Sequence, residues 1–281
     1  MLPRWGERPL AEIAKGDVLA LINDKAARRE RARKGSTEGA AIQANRTLTR
    51  LRTFFGWAIA NDLIEADPTA GVRKPAKEVA RDRVLTDDEI RALWDGTERL
   101  GRPFGLVLRL MLLTAQREGE VAGMCWSELD LEGRTWTIPG ARAKNGKPHI
   151  VHLSGLAIEV LDQVYRIVDQ DLLFSGNGRT PVSGFSSAKT RVDAALGASD
   201  WVLHDLRRTA TTGLARLGIE PHIADKVLNH TAGTVRGVAA TYNRFEYLDE
   251  RKAALDAWGR FLESLVRPGC RRTSCNSRAP R

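Results

Sequence analysis

At 281 residues, 42% of them hydrophobic, the chain is long enough for two domains or one large one, each with its own core. No run of about 18 apolar residues exists and residues 1–20 lack the apolar centre of a signal peptide, which argues against a membrane span or secretory leader and makes the cytosol the expected compartment. Three cysteines, Cys125, Cys270 and Cys275, make no even disulfide framework and favour a reducing environment. A net charge of +9 suggests a polyanionic partner, but the charge is uneven: residues 1–76 hold 14 basic and 9 acidic side chains, residues 267–281 hold five arginines and no acid, and the middle is nearly neutral. Any DNA contact in the middle must therefore be a local patch.

Residues 10–31 and 39–61 read as helices, because Leu10, Ile13, Val18, Leu21 and Ile22, then Ile42, Leu48, Leu51, Phe54, Phe55, Trp57 and Ile59, recur at helical spacing. Between them Arg28, Arg29, Arg31, Arg33 and Lys34 form a basic run that fits either a helix end complementing its dipole or a phosphate contact. Arg46, Arg50 and Lys147 join that run as candidate DNA contacts. Asp67-Pro68 stops the second helix, and residues 68–83 read as connecting chain, with the linker proper at 77–83. Thr86-Asp87-Asp88-Glu89 is a capping box opening a new helix, and residues 103–114 make a very apolar one. Glu118–Met124 reads as a short helix, and Thr135–Pro139 and His149–Leu153 as strands around the turn Lys144-Asn145-Gly146-Lys147. Helices are predicted at 154–168, 184–196, 204–217, 221–229, 234–243 and 249–265, and residues 267–281 read as a disordered basic tail. The fold class is thus mainly α with a small β component.

Three stretches stand out for chemistry: Thr114-Ala115-Gln116-Arg117-Glu118-Gly119-Glu120, His204-Asp205-Leu206-Arg207, and Leu228-Asn229-His230 followed by Tyr242. Attack on a phosphodiester is slow because the non-bridging oxygens repel a nucleophile and the transition state gathers more charge. Arginine suits that task, since its planar fork makes paired charge-assisted hydrogen bonds and keeps its proton. Each residue alone also fits a bland role: Arg117 paired with Glu118 or Glu120, His204 and Asp205 capping a helix, His230 ending one. His149 and His152, three apart on a strand, face opposite ways and cannot chelate together, so no metal is predicted. Ser175-Gly176-Asn177-Gly178 lacks the lysine of a phosphate loop, so no ATP or other cofactor is expected. The nucleophile must then be a side chain. Of three tyrosines, Tyr165 fits a core position on an amphipathic helix, Tyr242 follows the His230 element among Arg236, Arg244 and small residues, and Tyr247 stands in reserve.

In this order the elements resemble tyrosine recombinases, specifically bacteriophage-type integrases, from about Leu10 to Leu262. The likeness includes Pro9-Leu10-Ala11-Glu12-Ile13, Ala44-Asn45-Arg46, Phe55-Gly56-Trp57-Ala58, Tyr242-Asn243-Arg244 and Ala254-Leu255-Asp256-Ala257-Trp258. Ala115 stands where the family commonly has glycine, as does Asn229 before the second histidine, although asparagine tolerates left-handed geometry. Integrases of this type usually carry further segments before the part matching Trp5–Ile13, so the core-binding domain is expected to be incomplete.

The resemblance implies a helical core-type DNA-binding domain at 1–76, the linker at 77–83 and an α+β catalytic domain at 84–266, closing on DNA as a clamp. It implies that Arg117 and Arg207 hold the scissile phosphate, that His204 and His230 assist proton transfer and phosphate binding, and that Tyr242 forms a 3′-phosphotyrosyl bond. Lys144 would protonate the departing 5′-oxygen, with Lys147 close enough to compete for that role, and Glu120 would orient the first arginine. Implied partners are double-stranded DNA attachment sites, four protomers on synapsed DNA, and accessory proteins that bend DNA or set direction. Residues 249–265, with Leu255, Trp258, Phe261, Leu262 and Leu265 on one stripe, would dock on a neighbouring protomer or pack on their own domain. A non-catalytic DNA-binding remnant and a nicking activity of type IB topoisomerase kind remain as alternatives to recombination.

Overall fold

A computed structural model describes residues 2–27, 37–79, 81–143, 145–230 and 245–267. The chain divides into two units, Met1–Arg81 and Asp82–Arg281. The first holds α1 (Leu2–Trp5), a 3-10 turn at Leu10–Glu12, α2 (Lys15–Ala27) and α3 (Thr37–Ala60). The helix predicted from residue 10 is interrupted, because Ile13 is extended and Asp17 accepts the Ala14 N–H at 3.0 Å, capping a fresh start at Lys15. Val18, Leu21 and Ile22 of α2 meet Ala44, Leu48, Leu51, Phe55 and Ala58 of α3, and Trp5, Ile13, Ile64 and Val72 close the core. The segment read as connecting chain from residue 68 is largely part of this unit. Pro68, Thr69 and Val72 are buried, and the buried Asn45 carboxamide donates to Ala76 O at 2.8 Å and accepts the Ala76 N–H at 3.2 Å. Composition read the whole stretch as linker, but the buried Asn45 partners the Ala76 backbone and Arg52 donates to Val72 O, so α3 holds it.

The second unit opens with α4 (Asp87–Leu100), started by the Thr86–Glu89 capping box. Helix α5 (Phe104–Thr114) is buried from Gly105 to Thr114 and packs against α4, α6 (Glu118–Ala122) and three later helices, α7 (Gly155–Leu161), α9 (Leu203–Arg216) and α11 (Leu248–Val266). A Cβ on Gly105 would lie 2.1 Å from Thr97 O, so α4 and α5 approach as closely as backbone allows. Strands β1 (Leu129–Asp130), β2 (Thr135–Ile138) and β3 (His149–His152) form an antiparallel sheet in that order, with Trp136 opposite Leu129 and Val151, and Ile138 opposite His149. At two residues, β1 is too short for a periodicity to reveal. A 3-10 turn at Trp126–Glu128 and helices α8 (Phe185–Leu196) and α10 (Pro221–Val227) complete the described elements, and the helix predicted at 234–243 lies outside the described residues.

Two expectations are corrected in this unit. The helix predicted over 154–168 ends at Leu161, where Val164 N–H bonds back three residues to Leu161 O at 2.8 Å, the tightened geometry of a helix end. Tyr165 is therefore no core aromatic: it is 75% exposed, with the Arg102 guanidinium 3.9 Å from its ring centroid. The apolar stripe on α11 packs on its own unit, with Leu255, Trp258, Leu262 and Leu265 buried in the main core and Phe261 stacked on Trp258 at 5.5 Å. Trp258 Nε1–H also donates to Leu112 O at 2.8 Å, which ties α11 to the central helix. Among the described residues no helix is long and apolar enough to cross a membrane.

Candidate active site

Arg117 is positioned by the abrupt end of α5. Ala115 adopts a left-handed conformation (φ 57°) and is fully buried, which turns the chain within one residue. Gln116 plugs the turn: its side-chain amide donates to Thr114 O at 2.7 Å and to Val227 O at 3.0 Å. Arg117 then starts α6, with its N–H donating to Glu120 Oε2 at 2.9 Å and its Nη1 to Glu120 Oε1 at 2.8 Å. Glu120 is buried at 4% exposure, so the pairing fixes the Arg117 side chain by one carboxylate held from both ends.

Arg207 comes from the first turns of α9. That helix is capped by Asp205, which accepts the Val202 N–H at 2.8 Å and pairs with Arg208 at 2.6 Å, so the capping belongs to Asp205 while His204 stays accessible to solvent. Arg207 itself is 3% exposed. Its Nη1 donates to Ala115 O at 2.7 Å and its Nη2 to Leu228 O, so one guanidinium braces the turn carrying Arg117 and the turn carrying His230. Burial, and then the nearby Arg117 charge, push its pKa down to about 10, which leaves it charged at neutral pH.

The third segment is the end of α10. Asn229 is left-handed (φ 51°), and His230 is folded back so that its N–H reaches Asp225 O at 3.0 Å and its Nδ1 lies 3.2 Å from Asp225 Oδ1. This turn is gripped residue by residue. Val227 O meets the His149 Nε2 of β3 at 3.1 Å as well as Gln116, Leu228 O accepts from Arg207, and Asn229 Oδ1 accepts from Asn145 Nδ2 at 2.6 Å. His204 and His230 both have pKa values below the usual 6.5: partial burial is the main cause for each, followed by Arg208 and Arg207 for His204 and by Arg207 for His230. The Arg117 charge reaches both histidines as well as Arg207. Neutral imidazoles beside two fixed arginines form a cationic, hydrogen-bonding surface suited to an oxyanion such as phosphate.

The structure thus brings together Arg117, Glu120, His204, Arg207 and His230, which are far apart in sequence. Lys144, Tyr242, Arg28, Arg29, Arg31, Arg33 and Lys34 lie outside the described residues. Lys147 is exposed on the hairpin turn, and Arg46 and Arg50 are exposed on α3, in the other unit. Tyr247 starts α11 in a left-handed conformation and packs its ring on His222 and Phe245, at centroid distances of 5.1 and 4.8 Å. His149 and His152 direct Nε2 to separate partners, Val227 O and Asp256. Sequence reasoning gave Gln116, Asn145 and His149 no part in the site. Asn145 was visible only as a turn residue, and Gln116 and His149 carry no signal in one sequence.

A model of the phage integrase family matches residues 83–244. The prophage integrase IntZ of Escherichia coli strain K12 is 28% identical over 269 residues, a match covering 94% of this chain and 63% of that protein, so the chain spans just under two thirds of this relative's length. In fold, the chain is similar to lambda integrase residues 75–356 in a dimer bound to a COC′ core site, with TM-score 0.60, 23% identity, and coverage of 82% of this chain and 83% of that one. It is also similar to the lambda integrase tetramer bound to a Holliday junction, with TM-score 0.59, 23% identity, and coverage of 81% and 67%.

Proposed function

The chain belongs to the phage integrase family, and from that premise we propose that it is a site-specific DNA recombinase, cleaving and rejoining DNA through a 3′-phosphotyrosyl intermediate to integrate or excise a mobile element. The observation that carries the reading is Arg207, buried and braced between Ala115 O and Leu228 O, which holds one charged guanidinium at the meeting of the Arg117 and His230 turns. A rigid, pre-positioned cation of this kind stabilises the extra charge of a phosphoryl-transfer transition state without reorganising.

In the proposed reaction, Arg117 and Arg207 bind the non-bridging oxygens of the scissile phosphate, and Glu120 keeps Arg117 in place. The Tyr242 hydroxyl attacks phosphorus, its proton passing to a neutral histidine or solvent. The bond from phosphorus to the 5′-oxygen breaks, and Lys144 or Lys147 supplies a proton to that oxygen. His204 and His230, neutral in the free protein, donate hydrogen bonds to phosphate and exchange protons near it. The free 5′-hydroxyl of a second strand then attacks the phosphotyrosine, releasing Tyr242 and restoring a phosphodiester. Bond energy is conserved in the ester, so no nucleotide is consumed.

The partners that follow are double-stranded attachment sites and three further copies of the chain on synapsed DNA, in keeping with the dimeric and tetrameric DNA complexes of lambda integrase. DNA-bending or directionality proteins and a bacterial cytosolic location complete the proposal. The domain assignment is proposed likewise: a DNA-binding role for residues 1–76 and catalysis for 84–266. A nicked duplex drawn from the DNA flanking the gene traps the covalent adduct, because the short strand beyond the cut diffuses away. Wild type is expected to give an adduct on a denaturing gel and Tyr242→Phe none. An adduct that persists in Tyr242→Phe would move the nucleophile to Tyr247, and none in wild type on DNA that it binds would sink the catalytic reading.

A further inference from the structure

The turn between β2 and β3 carries both candidate lysines, and one side-chain bond ties its tip to the phosphate-facing turns. Arg142 anchors the first half through Gly123 O and Glu128, and Ala143 is buried. Gly146, Lys147 and Pro148 are exposed. Asn145, between these stretches, uses both ends of its carboxamide: Nδ2 donates to Asn229 Oδ1 at 2.6 Å across 84 residues, and Oδ1 accepts the Lys147 N–H at 3.1 Å.

Asn229 meets two demands at once. Its backbone is left-handed, at φ 51°, a region that most side chains enter only with steric strain and that glycine enters freely. Glycine would supply that backbone but no acceptor. Asparagine tolerates the conformation and also offers the oxygen that Asn145 reaches. The same short turn is held at Val227 O by His149, from the base of the hairpin, and at Leu228 O by Arg207. The hairpin therefore grips the His230 turn at two points, one at its strand and one at its tip.

We infer that the Asn145–Asn229 bond is a clasp that positions the hairpin tip, and with it the proton-donating lysine, in register with the arginines and His230. The inference rests on the proposed recombinase chemistry. The proposed reaction gives Asn145 and Asn229 no part at the reacting atoms, so they are positioning residues. Their effect belongs to one event: delivery of a proton to the 5′-oxygen as its bond to phosphorus breaks.

That event is isolated by changing the leaving atom. The flanking-DNA nicked duplex is made with oxygen or with sulfur at the bridging 5′ position, and a thiolate, whose acid ionises at about pH 8.5, departs without a proton donor. Asn145→Ala and Asn229→Gly, the latter keeping the left-handed backbone unstrained, are expected to form adduct roughly 10–100-fold more slowly on the oxygen substrate, the range for residues that orient a functional group. Both are expected to return close to the wild-type rate on sulfur. The double variant should be no slower than the slower single one, since both changes break the same bond.

Equal defects on oxygen and sulfur, no defect on oxygen, or a double variant that multiplies the single effects would each overturn the clasp. Lys144→Ala and Lys147→Ala separate this failure from that of the parent reading. If one lysine variant is rescued by sulfur and the asparagine variants are not, the hairpin acid stands and the clasp falls. If neither lysine variant is slowed on oxygen and rescued by sulfur, the hairpin acid falls and the clasp with it.

Discussion

Burial acts in the same direction on His149 and Arg207, with opposite results. Each loses solvation for its charged form, but Arg207 is pushed down only to about 10 and stays cationic, whereas His149 starts at 6.5 and is pushed down to about 3, neutral at any ordinary pH. Its surroundings also fix the tautomer. Val227 O can only accept, so Nε2 carries the hydrogen, and Nδ1, facing the Arg251 guanidinium at 3.3 Å, must be bare. Protonation would set two donors against each other. The sign follows: the unfolded chain binds a proton below about pH 6.5 while the folded one refuses it until about pH 3, so stability falls as pH drops through that window. The slope from this one residue is at most about 1.4 kcal/mol per pH unit. His149→Gln, which can donate to Val227 O and accept from Arg251 without titrating, is expected to flatten the acid limb of urea-unfolding stability against pH. Parallel limbs for the two proteins would remove His149 as the cause.

At the level of elements, helix packing sets where the site can be. A Cβ on Gly213 of α9 would lie 2.1 Å from Trp258 Cζ3 of α11, so these helices meet without a spacer. Gly213→Ala gains about 1 kcal/mol of helix propensity and loses about 1–3 kcal/mol to overpacking, more if Trp258 cannot turn, because its Nε1–H is held by Leu112 O. We expect net destabilisation in urea unfolding, partly relieved by adding Trp258→Leu; a neutral Gly213→Ala would mean that the ring yields. Elements of this kind were legible in the sequence wherever a long period or a cap marked them, as at Thr86, at the apolar run of α5 and along α11. They were not legible where tertiary contact made the decision. Nothing local tells that the chain leaves the helix after Leu161 and exposes Tyr165, or that Asn45 folds residues 68–78 onto α3. In the site, the types and order of Arg117, His204, Arg207 and His230 stood out because phosphate chemistry needs them. The carbonyls and amides that hold them are unremarkable letters in a sequence and became visible only in space.

Across the whole molecule the basic excess lies in residues 1–76 and the last fifteen, while the stretch between them, which bears the site, is nearly neutral with its arginines counted. Non-specific DNA affinity should therefore come chiefly from outside the site. Log affinity is expected to fall linearly with log salt, with a slope near −0.9 for each phosphate neutralised. Replacing Arg46 and Arg50 on α3 should lessen that slope by about one for each arginine that contacts a phosphate, with little dependence on sequence. Fluorescence anisotropy over a salt series checks this, and an unchanged slope would take α3 off the DNA.

The brace of Arg207 has one more consequence, for how such a chain tolerates change. Both atoms that hold the guanidinium are main-chain oxygens, of Ala115 and Leu228, and every residue type carries one. Substitutions in either turn that preserve its path leave the cradle intact, whereas almost any substitution at position 207 empties it. This cradle therefore depends on the path of the two turns and on the arginine itself, not on which side chains the turns carry.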